Sequence, residues 1–491
     1  MIAKIIKLWY FKKAFNTLFI FMNPDIKTEV KNYFDKLAES REYWIRKNQY
    51  YYHSLINLFS FLVPPEKRVL EIGCGTGDLS ASLKTKKFVG VDISPKMIAI
   101  ARKKYPGLKF YEMDAEELNL EEKFDYIIAS DLISFLYDIK KAFGKWHKVC
   151  DSNTRIIITH YNFLWEPLLV LAEKLRLKMP QKIHNWLSSN DVKNILYLAD
   201  FEVIKTGNYL LFPKYLPFLS AFLNRYIARL PLLRRLCLIN YIIAKPVSKG
   251  RKDRLLSVVV PARNEKGNIE ALVERLPQMG NSCELIFVEG HSSDGTGEEI
   301  KRVMAKYPNK NIKFFVQDGI GKADAVRKGF DNATGEILMI LDADLSVAPE
   351  DLTKFYEAII SGKGEFINGS RLVYAMEKQS MRTLNLLGNK FFSLMFSWIL
   401  SNRIKDTLCG TKVLFKKDYE DIKNGRAYFG DFDPFGDFDL LFGASKMNLK
   451  IIELPVRYYS RTYGSTNISR FRHGWLLLRM TIFAMKKIKF F

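Results

Sequence analysis

Short apolar runs alternate with amphipathic helical segments in two separate stretches of the chain. Runs of this kind, each bounded by polar or glycine-containing turns, are typical of buried strands in an α/β sheet. Because alternating strands and helices build parallel sheets covered by helices, the pattern predicts two open, doubly wound parallel sheets. The first-half strands are predicted at RVLEIG, FVGVD, KFYEMD, FDYIIASD and RIIITHY, and those of the second half at LLSVVVPARNE, ELIFVEG, KFFVQD and EILMILDADL.

Two further patterns indicate where the domains begin and end. From Tyr33 to Leu62, aromatic and leucine residues recur at three- and four-residue spacing, which predicts one helix that Pro64 and Pro65 stop. Residues 248–254 are polar, basic and glycine-containing without periodicity, which predicts a linker. A length of 491 residues accommodates one enzyme-sized domain on each side of this linker.

The charge balance favours anionic partners. The chain has 76 Lys and Arg against 53 Asp and Glu, a formal net charge of +23. Zinc-finger spacing and aromatic RNA-binding signatures are absent from the sequence, so nucleic acid is not the expected partner. The five cysteines are scattered singly without a C-x-x-C pair, which disfavours zinc and disulfide frameworks and fits a reducing, cytoplasmic setting.

The sequence predicts contact with a membrane surface rather than a membrane span. It has no run of about 18 uncharged apolar residues. In the N-terminal segment 1–30 an apolar stretch is short and no small-residue cleavage site follows, which argues against a signal peptide. In this segment apolar residues are interleaved with Lys4, Lys7, Lys12 and Lys13. The pattern fits an interfacial amphipathic helix, and a helix packed on the next domain is the alternative.

A glycine-rich turn follows the first predicted strand, and acidic residues end the next two. Position 78 is Asp, so the G-x-G-x-x-G pattern of nicotinamide cofactors is not met, and the motif is E-x-G-x-G-x-G instead. Ligands of such sheets bind at the carboxyl ends of the strands. The candidate residues at this edge are Glu71, Gly73, Gly75, Gly77, Asp92 and Asp114.

This motif resembles that of the class I S-adenosylmethionine-dependent methyltransferases, over residues 31–247, with 201–204 and 240–246 as the final strand pair. The resemblance implies a Rossmann-like fold that binds S-adenosylmethionine against the glycine loop. Asp92 would accept from the ribose hydroxyls and Asp114 from the adenine amino group, while Glu71 orients the loop or meets the methionine ammonium. Asp131 and His160 are strand-end candidates for a base. The methyl acceptor stays open, and a domain that no longer methylates is the alternative.

Residues 255–491 resemble the family 2 inverting glycosyltransferases, in particular the dolichyl-phosphate mannosyltransferase-like branch. The resemblance rests on ordered motifs, with the LDADL strand end the most telling. It implies a GT-A fold that binds a nucleotide-diphosphate sugar and a divalent metal, Mg²⁺ or Mn²⁺. On this resemblance Asp342 and Asp344 would be the catalytic and metal-binding pair, with Asp342 facing the nucleotide sugar and Asp344 the metal.

Further donor-site residues carry over from the family motifs. Two positions depart from the family: Gly290, where a second Asp is common, and Ser346, where close relatives often have a metal-binding glutamine. The matching donor-site positions are Pro261, Asn264, Glu265, Glu289, Asp294, Lys322 and Asp342.

Two classes of acceptor remain open. A polyprenyl phosphate oxygen is already anionic and needs positioning arginines, for which Arg371, Arg382 and Arg461 are the matching residues. A sugar hydroxyl would need a carboxylate base, for which Asp437 and Asp439 are available. The S-K that often follows the Arg461 loop in the family is replaced here by Gly464-Ser465.

The sequence as a whole predicts a bifunctional enzyme, peripheral on the inner face of the cell membrane. Leu384–Leu400 and the C-terminal segment are predicted as helices lying on a bilayer, with core helices as the alternative. The two resemblances imply that one domain would move a hexose, mannose or glucose, from a nucleotide sugar to a polyprenyl phosphate, and that the other would methylate an unknown acceptor. The alternatives are transfer to a sugar hydroxyl of a polysaccharide or glycolipid, and a binding scaffold with one inactive domain.

Overall fold

The chain separates into two compact units, Met1–Pro246 and Val247–Phe491. The structure is a computed structural model, and it describes residues 26–181, 185–248, 250, 254–374, 383–428, 436–461, 463–464 and 470–490. The N-terminal segment 1–25 and most of the predicted linker therefore lie outside the described residues. Each unit is built around one sheet.

The first unit contains a seven-stranded sheet in the order β3-β2-β1-β4-β5-β7-β6. All neighbouring strands are parallel except β7, which is antiparallel to both β5 and β6. The sheet is therefore mixed, and the prediction of a purely parallel sheet is wrong at this strand. The strands are β1 Arg68–Ile72, β2 Lys87–Asp92, β3 Lys109–Glu112, β4 Tyr126–Ser130, β5 Arg155–Tyr161, β6 Phe201–Tyr209 and β7 Ile239–Pro246.

The reversal at β7 follows from its connection. Strand β6 ends at the carboxyl edge of the sheet, and residues 210–238 begin and end at that edge, so the next strand must run back antiparallel. The helices of this unit are α1 Ile26–Ala38, α2 Arg41–Lys47, α3 Gln49–Leu62, α4 Asp78–Ala81, α5 Pro95–Lys104, α6 Ile139–Trp146, α7 Glu166–Lys174, α8 Ser189–Leu198 and α9 Leu219–Arg225.

The helix predicted from Tyr33 to Leu62 is three helices, α1 to α3. At the break between α2 and α3, Asn48 leaves helical geometry with φ −117° and ψ 32°. Its side-chain amide donates to the Trp44 carbonyl at 3.2 Å, a local bond that competes with continuation of the helix. The three helices pack as a bundle over one end of the sheet, where they line the pocket described below.

The second unit has a seven-stranded sheet in the order β10-β9-β8-β11-β13-β12-β14. Strand β13 is antiparallel to β11 and β12, so this sheet too is mixed rather than parallel. The chain leaves β12 and returns from the same end of the sheet, so no crossover to the opposite edge occurs. The strands are β8 Leu256–Ala262, β9 Cys283–Glu289, β10 Ile312–Val316, β11 Ile337–Ile340, β12 Phe366–Ser370, β13 Lys412–Phe415 and β14 Ile451–Pro455.

Helices cover this second sheet, and the two long apolar segments predicted near its C-terminal part are helical. The helices are α10 Ile269–Arg275, α11 Thr296–Lys306, α12 Lys322–Asp331, α13 Leu352–Ile360, α14 Thr383–Leu400, α15 Lys416–Asn424, α16 Asp437–Lys446 and α17 Arg470–Ala484, and α17 continues as a π-helical turn, Met485–Lys489.

The core of each unit fixes the ends of its central strands. In the second unit Val258, Phe287 and Met339 are fully buried on three adjacent strands, and each such side chain contributes about 1.5–3 kcal/mol. In the first unit, Ile127 and Ile156 are likewise fully buried on adjacent strands. The loops that follow these strands therefore start from rigid positions. Among the described residues, no helix has the length and apolarity that crossing a bilayer requires.

Candidate active sites

The glycine loop of the first unit connects β1 to α4 in a backbone conformation that side chains disfavour. Gly73 and Gly77 have φ of +77° and +79°. A Cβ at Gly73 would lie 2.8 Å from Leu132 Cδ1, and one at Gly77 would lie 2.8 Å from Phe110 Cζ. Around Gly75, in contrast, a Cβ would meet nothing within 4 Å, so this part of the loop borders open space. The loop can therefore bring its backbone close to a ligand.

Asp92, at the end of β2, holds the loop in place. Its two carboxylate oxygens accept the Gly75 backbone N–H at 2.8 Å and the Ser94 N–H at 2.9 Å. Burial raises the pKa of Asp92, although these two N–H donors lower it in part. A carboxylate oxygen accepts more than one donor, so Asp92 retains the capacity to accept from ribose hydroxyls.

Glu71 and Asp114 flank the loop with different partners. Glu71 is buried and accepts a hydrogen bond from the Ser80 hydroxyl. Its burial, together with the charges of Asp92 and Asp78, raises its pKa well above the ordinary value. Asp114 accepts the Glu116 N–H at 2.9 Å and forms an ion pair with Lys27 at 2.7 Å. Lys27 comes from α1 and had no role in the sequence prediction.

These residues border one pocket in the first unit, at the carboxyl edge of the sheet. Five of the six predicted cofactor residues line it, all except Gly77. Helices α1 to α3 supply a wall that the motif did not predict, including Phe34, Arg41 and Tyr52. The Arg41 guanidinium donates to the Tyr52 hydroxyl at 3.1 Å, while its Nε has no hydrogen-bond partner. A buried guanidinium with a free donor suits an anionic group of a ligand.

Of the two candidate bases, Asp131 lines this pocket and His160 does not. Asp131 follows β4 with φ +53°, and its carboxylate accepts the Tyr51 hydroxyl at 2.6 Å and the Thr159 hydroxyl at 3.0 Å. Burial raises the pKa of Asp131, which makes it a better proton acceptor than an exposed carboxylate. His160 is buried beside the Tyr161 carbonyl, and burial lowers its pKa.

In the second unit the D-x-D pair follows β11 and each carboxylate has a basic partner. Asp342 Oδ1 lies 2.6 Å from Lys322 Nζ, and Asp344 Oδ2 lies 2.6 Å from Arg461 Nη2. Asp344 also accepts a hydrogen bond from the backbone N–H of Ser346 at 3.0 Å. Burial acts to raise the pKa of Asp342, but Lys322 outweighs it and the net pKa is lowered. Asp342 is therefore ionised and matched to a cation.

A third carboxyl group, that of Glu265, interacts with this pair and has a raised pKa. Burial, with the charges of Asp344 and Asp342, raises its pKa to about 7, against the opposing effects of Asn268 and Arg461. The Asn268 amide donates to Glu265 at 2.6 Å, and Arg461 Nη1 lies 3.9 Å from its other oxygen. Glu265 and Asp344 therefore share one basic partner, the Arg461 guanidinium.

Three other predicted donor residues accept hydrogen bonds from backbone N–H groups of residues 292–296, which follow β9. Asn264 Oδ1 accepts the Ser293 N–H at 2.9 Å, and Glu289 Oε1 accepts the Ser292 N–H at 2.5 Å. Asp294 accepts the Thr296 N–H at 3.0 Å. These side chains shape the loop at the end of β9, and the fourth predicted residue, Pro261, lies on the adjacent strand β8.

Gly410 completes the surroundings of the D-x-D pair, and the sequence prediction missed it. It lies just before β13, and a Cβ there would overlap both Asp342 Oδ2 and Lys322 Nζ. The pair can therefore adopt its observed position because residue 410 has no side chain. A single glycine between Cys409 and Thr411 gives no signal of this in the sequence.

The predicted acceptor arginines have different surroundings. Arg371, whose side chain is 12% exposed, donates bidentately to Asp406 at 2.7 and 2.9 Å, with its guanidinium over the Tyr458 ring. Although burial opposes it, Arg371 lowers the pKa of Asp406 to about 2. Arg461, in contrast, contacts the D-x-D pair directly. Arg382 lies outside the described residues.

The two predicted bases for a hydroxyl acceptor lie at the start of α16. Asp439 Oδ2 lies 2.7 Å from Arg426 Nε and 3.4 Å from Arg327 Nη2. Both guanidinium groups lie against the same carboxylate oxygen, so Oδ2 of Asp439 is engaged in ion pairs. The side chain of Asp437 lies outside the described part of the chain.

The donor set around Asp344 suits a hard divalent cation only in part. Among the described residues, no group of three or more His, Cys, Asp or Glu side chains has the arrangement of a metal site. Carboxylate oxygens are nevertheless the ligands that Mg²⁺ and Mn²⁺ prefer, and diphosphate oxygens commonly complete their shells. A cation held by Asp344 would need such a ligand.

Comparisons with known proteins match each unit to a different family. The methyltransferase domain model matches residues 64–207, and the model of glycosyl transferase family 2 matches residues 257–422. The chain is 29% identical to the dolichol-phosphate mannosyltransferase of Pyrococcus furiosus over 236 residues, 46% of this chain and 64% of that enzyme.

Two further relatives cover shorter regions. The dolichol-phosphate mannosyltransferase of Saccharomyces cerevisiae is 39% identical over 109 residues, 21% of this chain and 40% of that protein. The demethylmenaquinone methyltransferase of Chlorobaculum tepidum is 34% identical over 88 residues, 17% of this chain and 36% of that protein. The chain thus spans less than two thirds of each of these relatives. It is a fusion of an S-adenosylmethionine-dependent methyltransferase domain of Rossmann-like fold with a family 2 glycosyltransferase domain of GT-A fold.

Proposed function

We propose that the C-terminal domain transfers a hexose, mannose or glucose, from a nucleotide sugar to a polyprenyl phosphate of dolichyl type. The observation that carries this proposal is the contact of 2.6 Å between Arg461 and Asp344. It brings a guanidinium, the group that best binds a phosphate, to the D-x-D pair where the donor diphosphate is expected. The names of the Pyrococcus and yeast relatives, dolichol-phosphate mannosyltransferases, support the same acceptor class.

The charges around the site suit an anionic nucleophile. An acceptor phosphate oxygen attacks the anomeric carbon from the face opposite the nucleotide, the bond from that carbon to the diphosphate breaks, and the nucleoside diphosphate leaves with the electron pair. No proton has to be removed from the nucleophile, so no base is needed. A bound Mg²⁺ or Mn²⁺ would neutralise charge on the leaving diphosphate. Lys322, beside Asp342, would contribute a second positive charge there.

Arg461 would change partner during this reaction. In the structure it neutralises Asp344, a carboxylate that the donor complex uses for its cation. Once Asp344 is engaged with the cation, Arg461 is free to bind the acceptor phosphate at the same site. Arg371 stays paired with Asp406 and would position the strand end rather than the acceptor.

Transfer to a sugar hydroxyl is the alternative, and the described carboxylates favour it less. That reaction requires a base to remove the hydroxyl proton. Asp439 Oδ2 is occupied by Arg426 and Arg327, so an acceptor hydroxyl would have to displace them to reach it. Asp437 stays available to this alternative, and the experiment below decides between the two acceptors.

The test is transfer of labelled hexose from GDP-mannose and from UDP-glucose, with either dolichyl phosphate or an oligosaccharide as acceptor. Label that enters the organic phase and is released by mild acid identifies a glycosyl phosphate. The Arg461→Ala variant should lose most of this transfer, and Arg461→Lys should keep part of it. The control is Arg302→Ala, which removes an exposed arginine of α11 that pairs with Glu299. Label that enters the oligosaccharide alone would overturn the proposal.

We propose further that the N-terminal domain transfers a methyl group from S-adenosylmethionine to an acceptor oxygen or nitrogen, with Asp131 as the base. The acceptor atom attacks the methyl carbon, its proton passes to Asp131, and S-adenosylhomocysteine leaves. The support is that Asp131 lines the same pocket as Gly75 and Asp92 and has a raised pKa. Calorimetric titration with S-adenosylmethionine tests the cofactor: no binding by the unaltered chain would refute the proposal, and Asp92→Ala should abolish it.

The site of action that we propose is the inner face of the cell membrane, where a polyprenyl phosphate would be presented. Two helices of the C-terminal domain support it. Helix α14 exposes Phe391 and Leu394, and α17 exposes Trp475 and Ile482. Amphipathic exposure of this kind suits helices that lie on a bilayer. Separation of membranes from soluble protein, with and without a high-salt wash, measures this association.

A further inference from the structure

Two segments of the methyltransferase unit, 163–177 and 215–236, carry an unusual density of exposed apolar side chains. We call them together the platform. The described part of the chain has 34 exposed large hydrophobic residues, of which seven lie in the first segment and ten in the second. Half of the exposed apolar side chains therefore fall in these two short segments. Among the most exposed are Phe163, Leu168, Leu175, Phe218 and Leu232.

The two segments are joined in space. The Trp165 indole N–H donates to the Leu236 carbonyl at 2.7 Å. Just before the first segment, the Asn162 side-chain amide donates to the Arg235 carbonyl at 2.8 Å. These bonds hold the start of one segment against the end of the other, so the platform is one continuous surface rather than two.

The helices of the platform turn their apolar residues away from the core. A helix on a globular domain normally buries an apolar stripe. Helix α7, nine residues long, has Leu169 as its one buried residue, and α9 has only Ser220. The short turn Leu233–Leu236 buries no residue at all. Contiguous apolar surface that is left uncovered in this way marks a site of association.

The charge of the platform indicates what it associates with. Residues 210–238 contain no Asp or Glu, and Arg225 and Arg235 are exposed beside the apolar side chains. Leucine and aromatic residues interleaved with arginine are the composition of segments that bind anionic lipid surfaces. The basic residues of 210–238 are Lys214, Arg225, Arg229, Arg234 and Arg235.

Other occupants fit this charge less well. A second copy of the chain would bring two basic platforms together. Segment 1–25, which lies outside the described residues, is itself basic, with four lysines and one aspartate. Like charges repel in both cases, whereas an anionic bilayer is attracted.

The platform lies at the same edge of the sheet as the cofactor pocket. Helix α7 follows β5 at the carboxyl edge, and residues 210–238 connect β6 to β7 at that edge. Immediately after the first segment, Met179 and Gln181 line the pocket. Lys47, in the bundle that covers the pocket, donates to the Arg176 carbonyl of the platform at 2.7 Å. A bilayer on the platform would therefore border the pocket entrance.

We propose that the platform docks the methyltransferase unit on an anionic membrane, and that the methyl acceptor is the polar group of a membrane-borne lipid. The first half of this proposal stands on the surface alone. The second half rests on the cofactor pocket proposed above. Docking would bring the acceptor to the pocket by diffusion within the bilayer, so the acceptor group need not leave the membrane.

The docking test places a fluorescent label at one residue of the platform and at a matched control. Leu232→Cys lies in the platform, and Tyr197→Cys lies at the end of α8 on the opposite, amino edge of the sheet; the native side chains are 77% and 76% exposed. Each variant of the full chain carries an environment-sensitive dye, with the labelled parent chain as background for the native cysteines. Vesicles are phosphatidylcholine alone, or phosphatidylcholine with 30% phosphatidylglycerol.

The label at position 232 should shift to the blue and gain intensity severalfold with the anionic vesicles, while the label at 197 stays unchanged. Binding of the chain without a shift at 232 would overturn the proposal, because other segments would then be the contact. A shift at 232 that needs no vesicles and grows with protein concentration would assign the platform to a second copy. A shift on deletion of residues 1–25 without vesicles would assign it to that segment, and both results overturn membrane docking.

The acceptor test uses labelled S-adenosylmethionine with vesicles of a total polar lipid extract. The unaltered chain should transfer label to the organic phase, and Phe218→Ser/Leu232→Ser should reduce this transfer at least tenfold, whereas Tyr197→Ser should not. Calorimetric binding of S-adenosylmethionine by the double variant should stay unchanged, which separates loss of docking from loss of the cofactor site. Label confined to the aqueous phase, or equal transfer by both variants, would overturn the lipid acceptor.

Discussion

Glu265 is expected to make the binding of the nucleotide sugar depend on pH across neutrality. Burial and the charges of Asp344 and Asp342 raise the pKa of this carboxyl group to about 7 in the free chain. A bound divalent cation near Asp344 would favour the ionised carboxylate and lower that pKa. Binding is therefore linked to loss of a proton, so the affinity holds above pH 7 and is lost as the pH falls below it.

The size of the effect follows from the pKa. At pH 8 about nine tenths of the Glu265 carboxyls are ionised, and at pH 6 about one tenth, so the affinity should fall about tenfold between them, or about 1.4 kcal/mol. At pH 7, complex formation should release about half a proton. Glu265→Gln cannot ionise, and its affinity should be low and nearly independent of pH.

Calorimetric titration of GDP-mannose or UDP-glucose with Mn²⁺ at pH 6, 7 and 8 measures both quantities, if buffers of different ionisation enthalpy are compared. The ligand is an intact nucleotide sugar, because its diphosphate is esterified at both ends and has no pKa near neutrality. A free nucleoside diphosphate has a terminal phosphate that titrates in this range and would add its own pH dependence. His291, which follows the end of β9, is checked with His291→Gln, which should keep the pH dependence. An affinity of the unaltered chain that stays constant from pH 6 to pH 8 would refute the reasoning.

Three further predictions test other parts of the two sites. Gly410→Ala should displace Asp342 and Lys322 and lower kcat of hexose transfer about 100-fold, which is the cost of a misplacement of about 1 Å. The control is Gly388→Ala, where a Cβ meets nothing within 4 Å, and its kcat should be unchanged. Equal kcat for both variants in the transfer assay would contradict this prediction. Asp439→Asn should lower the free energy of unfolding by about 3 kcal/mol in urea titrations, since it breaks the pairs with Arg426 and Arg327. The folded fraction should keep its kcat. A loss of kcat at unchanged stability would instead indicate that Asp439 is a base. Asp92→Asn should weaken the binding of S-adenosylmethionine about tenfold or more in calorimetry, because its amide N–H₂ would face a backbone donor at Gly75 or Ser94. The control Asp125→Asn, at the amino edge beside Arg68, should leave this affinity unchanged. Equal affinities of the two variants would argue against the assigned role of Asp92.

The sequence predicted those parts of the fold and of the sites that lie within a few residues of one another. Strand β5 has its predicted bounds, and the two α/β folds are confirmed. Five of the six cofactor residues line one pocket because each lies at or just after the carboxyl end of a strand, and parallel strands end at the same edge. The direction of β7 was wrong, since it runs antiparallel to β5, and strands β12 to β14 were not predicted at all. Hydrophobic runs show that a strand exists but not which way it runs.

The parts that the sequence did not predict come from residues that are distant in the chain. Tyr51 contacts Asp131 across 80 positions, and Lys27 contacts Asp114 across 87. Gly410 is required at Asp342 only because β13 inserts between β11 and β12. No motif spacing carries such contacts, because they depend on how helices and strands pack. Arg41 and Tyr52, which line the cofactor pocket far from the glycine motif in sequence, are further residues of this kind.

The arginines show the same limit in terms of charge. A motif match placed Arg371 and Arg461 in one class, yet Arg371 is committed to Asp406, while Arg461 pairs with the carboxylate that the donor cation would use. Residue type alone cannot distinguish a guanidinium with a permanent partner from one whose partner is exchanged. A buried bidentate pair is costly to break, because an uncompensated buried charge costs about 3–5 kcal/mol. Arg461, about one third exposed, can change partner at much lower cost, so substitutions of Arg461 rather than of Arg371 should alter the affinity for the acceptor phosphate without unfolding the domain.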